Sequence, residues 1–186
     1  MKNKLFSQLL LVSLLIVNVS CDTDDASNSQ NIKAYNTSLE TWKHLKLISG
    51  ASYVYEISTT SFSGYESTTQ ITVQNNIVIS RTYESYSIYD ENNTYLGYEN
   101  RLITSSYTES SETLGTNTDG ASPLTIDELY DTCLSDYLSV DPDTNTITFN
   151  VNDFNIISDC YYIPDGCQDD CIFGITITNF QWLDSN

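Results

Sequence analysis

Ser122-Pro123-Leu124-Thr125-Ile126-Asp127-Glu128-Leu129-Tyr130-Asp131-Thr132-Cys133-Leu134-Ser135-Asp136-Tyr137-Leu138 is the stretch whose reading decides the fold. Thr125, three residues ahead of Glu128, makes a capping box, the reciprocal pattern that starts a helix. Ile126, Leu129, Tyr130, Cys133, Leu134, Tyr137 and Leu138 then form one apolar stripe at helical spacing. Asp127, Glu128, Asp131, Thr132, Ser135 and Asp136 take the other side. The pattern predicts an amphipathic helix laid on an apolar surface, with Cys133 in the buried stripe as a staple point.

That surface is written on both sides of the helix. Downstream, residues 141–145 read as a turn. Asp141, Asp143 and Asn145 have the spacing that opens a calcium loop, but Thr146 stands where that loop needs Gly and Asn152 where it needs Glu, so the turn is preferred. Residues 146–151 alternate, with Ile147, Phe149 and Val151 on one face. A turn at Asn152-Asp153, or one over residues 152–155, sends the chain back through residues 156–163. In either register Ile156 and Cys160 share the face of Ile147 and Phe149. In residues 172–182, Phe173, Ile175 and Ile177 alternate before the phase moves to Phe180 and Trp182, the trace of a β-bulge.

Upstream, Tyr53, Tyr55 and Ile57 alternate within residues 52–58, and Ile71 and Val73 within residues 70–74. Asn75-Asn76 is a two-residue hairpin turn, because Asn tolerates positive φ. A third strand runs from Ile77 towards Tyr89, residues 90–93 make a turn, and a fourth strand is expected over residues 95–107. Residues 108–121 carry no periodicity and read as an exposed loop. Ahead of the strands, Thr37-Ser38-Leu39-Glu40 is a second capping box, opening a short helix that carries Leu39, Trp42 and Leu45 and stops at Ser49-Gly50. His44, the only His, falls on its outer face with no second metal ligand nearby. The fold class is therefore α+β: an antiparallel sheet of about seven strands, order α-ββββ-α-βββ, with two helices packed on it. Two helix-plus-sheet repeats side by side are the alternative.

Residues 1–20 carry secretory-signal features: Lys2 and Lys4, then an apolar run too short to span a bilayer comfortably. Ser20-Cys21 resembles the bacterial lipobox, whose Cys is lipidated and becomes the mature N-terminus; Asn18 departs from that pattern, which favours Leu. The cysteine count agrees: five is odd, and lipidating Cys21 leaves Cys133, Cys160, Cys167 and Cys171, an even set suited to an oxidising compartment. The chain divides into a signal peptide (1–20), a lipidated flexible tether (21–35) and a single domain (36–186).

Without residues 1–20, five basic side chains face 25 acidic ones, a net charge of −20. Such a surface repels nucleic-acid phosphates, so nucleic acid is excluded as a partner. With 14 Tyr and 6 Phe there is aromatic material for a core, so wholesale disorder is excluded too.

Chemistry-bearing motifs are sparse. Asp165-Gly166-Cys167-Gln168-Asp169-Asp170-Cys171 lacks the Cys-x-x-Cys spacing of a redox pair, and its acids would raise a thiol pKa rather than lower it. Four cysteines could hold zinc, but an exported protein more often oxidises them. No Gly-x-Ser-x-Gly or phosphate loop occurs, and neither a metal nor any other cofactor is expected. The strand ending near Ile163 and the strand from Ile172 should form a hairpin that sets Cys160 opposite a residue near Ile175, several residues from Cys171. Since Cys133 and Cys160 share the core face, the expected pairs are Cys133 with Cys160 and Cys167 with Cys171.

Trp42 ahead of Tyr53-x-Tyr55, the helix start from Thr125 to Tyr130, Cys160 and the Cys167/Cys171 pair, together with lipobox-like Cys21 and the acidic Asp22-Thr23-Asp24-Asp25 behind it, resemble uncharacterised small Bacteroidetes-type lipoproteins. The resemblance implies a lipid anchor in the outer membrane and an outward-facing domain, and it implies no activity. The leading functional expectation is a non-enzymatic binding or interaction module. A narrower version binds glycans at the cell surface through Tyr83, Tyr86, Tyr89, Tyr95 and Tyr98, which the sequence sets on two neighbouring strands; packing on the sheet face is the competing role for those rings. An enzyme built on acidic residues and a small inhibitor of a secreted enzyme complete the set.

Overall fold

The computed structural model describes residues 23–61, 64–169 and 171–183. The expectations for the signal peptide and for Cys21 lie outside them. Helix α1 (Thr23–Ser49) precedes the meander β1 (Tyr53–Thr60), β2 (Tyr65–Gln74), β3 (Ile77–Ser87) and β4 (Leu102–Ser110). Helix α2 (Ile126–Thr132) continues into a π-turn, Cys133–Tyr137, and leads to a second meander, β5 (Asn145–Val151), β6 (Ile157–Pro164) and β7 (Phe173–Trp182). The strands form one antiparallel sheet in the order β4-β3-β2-β1-β7-β6-β5. This is the α+β order read from the sequence.

Local signals explain most of the register. Asn75 and Asn76 both have positive φ (51° and 63°) and close the β2–β3 hairpin. Cys160 lies opposite Phe149 on β5 and opposite Ile175 on β7, as expected. The phase shift in β7 is a bulge: Glu56 pairs with Asn179 and Ile57 with Ile177, leaving Thr178 as the extra residue.

Helix α2 starts as its capping box dictates. The Thr125 hydroxyl accepts from Glu128 N, and the Glu128 carboxylate accepts from Thr125 N at 2.7 Å. The stripe then meets the π-turn, where Leu138 N donates to Cys133 O. That extra residue in the turn shifts the phase, so Leu138 stays buried while Leu134 turns outward at 45 % exposure, against expectation.

Two further expectations are corrected. The helix expected from Thr37 begins at Thr23, so most of the expected tether is helical. Its first half is tied to the domain: Tyr35 is buried, and Asn31 Nδ2 donates to Ile147 O at 2.9 Å. Thr37 is therefore no cap; its hydroxyl donates back to Lys33 O inside the helix. The fourth strand begins at Leu102 rather than near Tyr95. Residues 95–101 instead pass through Gly97, at φ 74°, and a short 3-10 turn, held where Arg101 reaches Tyr98 O and the Glu84 carboxylate.

The core lies between the helices and one sheet face. Trp42 is fully buried, stacked on Trp182 (centroids 5.5 Å apart) and edge-on to Tyr53, and its Nε1 donates to Asp127. Lys46 binds the same Asp127 carboxylate at 2.7 Å, tying the last turn of α1 to the first turn of α2. Buried tyrosines satisfy backbone groups at the start of α2 and at the start of β6 that would otherwise be left without partners. Tyr53 OH accepts from Ile126 N, Tyr55 OH donates to Leu124 O, and Tyr130 OH accepts from Ile157 N. Desolvation raises the pKa of all three, that of Tyr130 to about 12. The disulfide Cys133–Cys160 (Cα atoms 5.8 Å apart) pins the π-turn to β6, and Cys167–Cys171 closes the loop before β7. Both expected pairings are present.

Candidate functional site

The bulge at Thr178 positions the site. On its far side, β7 residues 173–176 pair with β6, and β1 residues 58–60 pair with β2. Continued, the β1–β7 register would set Ser58 against Thr176, Thr59 against Ile175 and Thr60 against Gly174, but the pairing ends at Ile57 and Ile177. The sheet therefore splits along a seam between its two central strands.

Gly174 holds the seam open. Its φ is 156°, and a Cβ there would stand 2.2 Å from Cys160 O and 2.4 Å from Tyr161 Cβ. Only glycine lets β7 lean this closely on β6.

Space opens on both sides of the split. Towards the helices lies a cleft of about 450 Å³ with an apolar lining from Ile57, Leu124, Leu129 and Ile175 and hydroxyls from Thr59, Ser67, Thr69, Thr132 and Tyr137. On the opposite face a second space of about 440 Å³ is lined by Ser58, Thr60, Ile172, Thr176 and Thr178. Ile57, Thr59 and Gly174 line both, and among the described residues none of the lining carries a formal charge. The Ser58 and Thr178 hydroxyls meet at 3.0 Å across the closed end. The arrangement can receive an uncharged, narrow ligand and offer it hydroxyls and main-chain groups.

One wall of the helix-side cleft is the connection expected to be an exposed loop. It is fastened instead to a buried ion pair, Arg81 Nε to Glu109 Oε2 at 2.8 Å, with both residues 2 % exposed or less. Arg81 also donates to the carbonyls of Asn117 and Ala121. Burial pushes the Glu109 pKa up, but the backbone amides of Asn117 and Gly115, the Asn117 side-chain amide and Arg81 outweigh it and bring the carboxyl down to about 2. All these contacts are engaged in closing the loop, which makes this carboxylate a clamp. At the cleft edge, Gly120 fits where a Cβ would lie 2.6 Å from both Thr69 Oγ1 and Tyr83 Cδ2.

The five tyrosines offered as glycan-binding candidates lie on different faces and turns of the β3–β4 region. Tyr83 is on the helix-side face, buried and stacked on Tyr107 at 5.2 Å. Tyr86 is buried on the opposite face, where its hydroxyl meets Glu66 and its ring lies edge-on to Tyr98. Tyr89 and Tyr95 pair with each other in a lone bridge beyond the strand ends. Successive residues of one strand point to opposite faces, so Tyr83 and Tyr86, an odd number of positions apart, could not share a platform. Of this group Tyr98, 53 % exposed above the Arg101 guanidinium at 4.2 Å, presents a ring with a polar neighbour to solvent. His44 is exposed, as expected.

The seam residues Ile57, Thr59 and Gly174 were not read from the sequence as a site, Ile57 being assigned only to the alternation of its strand. The available signal was a glycine inside a strand pattern, four residues ahead of a bulge. Comparison of the chain with protein-family models, curated proteins and solved structures finds no match.

Proposed function

We propose that this chain is a non-enzymatic binding module, held at the outer membrane through a diacylglycerol-modified Cys21 and facing outward, with the seam as its ligand site. One observation carries the reading: a sheet whose two central strands part over unpaired main chain, with uncharged space on both faces. The anchor is supported by the lipobox-like Ser20-Cys21 and by cysteine parity, since the other four cysteines are joined in two disulfides.

A photo-crosslinking amino acid at Thr59, compared with the same probe at exposed His44, tests the site in cells of the source organism. Adducts from Thr59 and not from His44 are expected. No adduct from Thr59, or the same products from both positions, overturns the seam as the site. Cys21→Ala should release the protein into the soluble fraction; retention in the membrane fraction would move the anchor elsewhere. The glycan version now rests on the exposed Tyr98 ring over Arg101, and a glycan array compared between the native chain and Tyr98→Ala tests it separately.

A further inference from the structure

Resting on the reading of the seam as a ligand site, we infer that its occupant is an extended segment of a partner polypeptide, uncharged within the seam and flanked by basic residues, which adds as a strand between β1 and β7. The backbone identifies the chemistry. Residues 58–60 of β1 and 173–176 of β7 are each paired on their far side and face one another without the pairing that their register would give. Two facing strand edges present alternating N–H and C=O groups, which another strand complements along its length.

The split also suits a strand's side chains. Successive residues of an inserted strand point to opposite faces, and the seam has space on both. The helix side, floored by Ile57, Leu129 and Ile175, takes apolar side chains; the other, bordered by Thr176 and Thr178, takes small or hydroxylated ones. A strand added on the free side of β4 or β5 would find one neighbour, whereas here it finds two. The seam is closed at one end by the Ile57–Ile177 pair, so it offers a short recess rather than a flat edge. Charge selects the flanks: the lining is neutral, while the chain around it carries a net charge of −18, which favours a segment with Lys or Arg just outside the recess.

The experiment uses the full chain, isotope-labelled, with a pool of octapeptides that alternate Val or Ile with Thr or Ser between terminal lysines. Amide exchange at Ser58, Thr60, Gly174 and Thr176, the alternate residues whose N–H groups face the seam, should slow by about tenfold as those groups pair, while exchange in α1 stays unchanged. The same pool N-methylated at alternate residues should lose the effect, because the strand can no longer pair on both sides. Thr59→Trp, which fills the recess, should abolish it with the rest of the amide spectrum unchanged. Unchanged exchange at these residues in saturating peptide overturns the strand. If neutral oligosaccharides shift the same amides where the peptides do not, the ligand class is wrong but the site stands. If neither acts and the Thr59 crosslinker captures nothing, site and occupant fall together. Protection that appears on concentrating the protein alone, with dimers in sedimentation, overturns the foreign partner in favour of a second copy.

Discussion

The two halves of the sheet are covered in different ways. Over β5, β6 and β7 lie α1 and the π-turn after α2, joined by aromatic packing and by the Cys133–Cys160 disulfide. Over β3 and β4 lies a loop, residues 111–121, fastened by Arg81 and Glu109. A helix satisfies most of its own backbone groups and needs only an apolar face to dock. A loop brings unpaired N–H and C=O groups with it, so the surface beneath must supply polar partners. The ion pair stands in the sheet where the other half has hydrophobic side chains. The seam falls between these two constructions, where β7 changes partner.

Breaking the clamp should have the largest effect. Arg81→Leu leaves a buried carboxylate without its counter-ion and should cost about 3–5 kcal/mol in urea unfolding. Amide exchange should rise first in residues 111–121, ahead of α1. Replacing both Arg81 and Glu109 by leucine should recover part of the loss, because the unpaired charge disappears with its partner. A cost for Arg81→Leu no larger than that of an exposed substitution would remove the distinction between the halves.

The covalent half comes next. Cys133→Ala with Cys160→Ala should cost about 2–4 kcal/mol through the released chain entropy of the 27-residue separation. The loosening should be confined to the π-turn and β6, with the clamped loop unaffected. Equal loosening of both halves would show that they unfold as one unit at the seam.

Proton titration separates the halves without mutation. The Glu109 carboxyl lies at about 2 in the fold against an ordinary 4.5, so the stability it contributes is present above pH 4.5 and is lost as pH falls from 4.5 towards 2. Tyr130 is raised from 10.0 to about 12, so its contribution is present below pH 10 and is lost as pH rises through 12. Acid should therefore open the β3–β4 half first, and alkali the α2–β6 contact. Glu109→Gln should flatten the acid limb of a stability–pH profile and leave the alkaline limb in place; a parallel change in both limbs would refute the assignment.

This division also explains what could be read from the chain. Alternation at Tyr53, Tyr55 and Ile57, the Asn75-Asn76 turn, the phase change between Ile177 and Phe180, and the pairing of Cys133 with Cys160 all came from apolar periodicity and turn chemistry. Where burial is polar, that signal is silent. The inner side of α1 alternates Asn31, Tyr35, Ser38 and Trp42, so its first half looked like a tether. Arg81 and Glu109 lie on a core face with the pattern of surface residues, so the loop they hold looked free. The seam was half legible: the bulge was visible, but the loss of pairing beyond it depends on how closely Gly174 approaches Cys160, a contact between residues distant in sequence.

The smallest effect expected lies at the junction of the two halves. Thr125 ends the segment that follows the clamped loop and caps the helix of the other half. Thr125→Ala removes the hydroxyl that accepts from Glu128 N, a change typically worth about 1 kcal/mol. Here the neighbouring groups keep their own partners: Ile126 N still donates to Tyr53 OH, and Leu124 O still accepts from Tyr55 OH. The substitution therefore leaves Glu128 N as the one amide of this turn that loses a protein acceptor, and the cost should fall below that typical value. Amide exchange should quicken at Glu128 and its immediate neighbours, while Gly115 and Asn117, bound to Glu109, exchange as before. If those two amides quicken as well, the cap and the clamp belong to one cooperative unit, and the two halves are coupled through residues 118–125 rather than held separately.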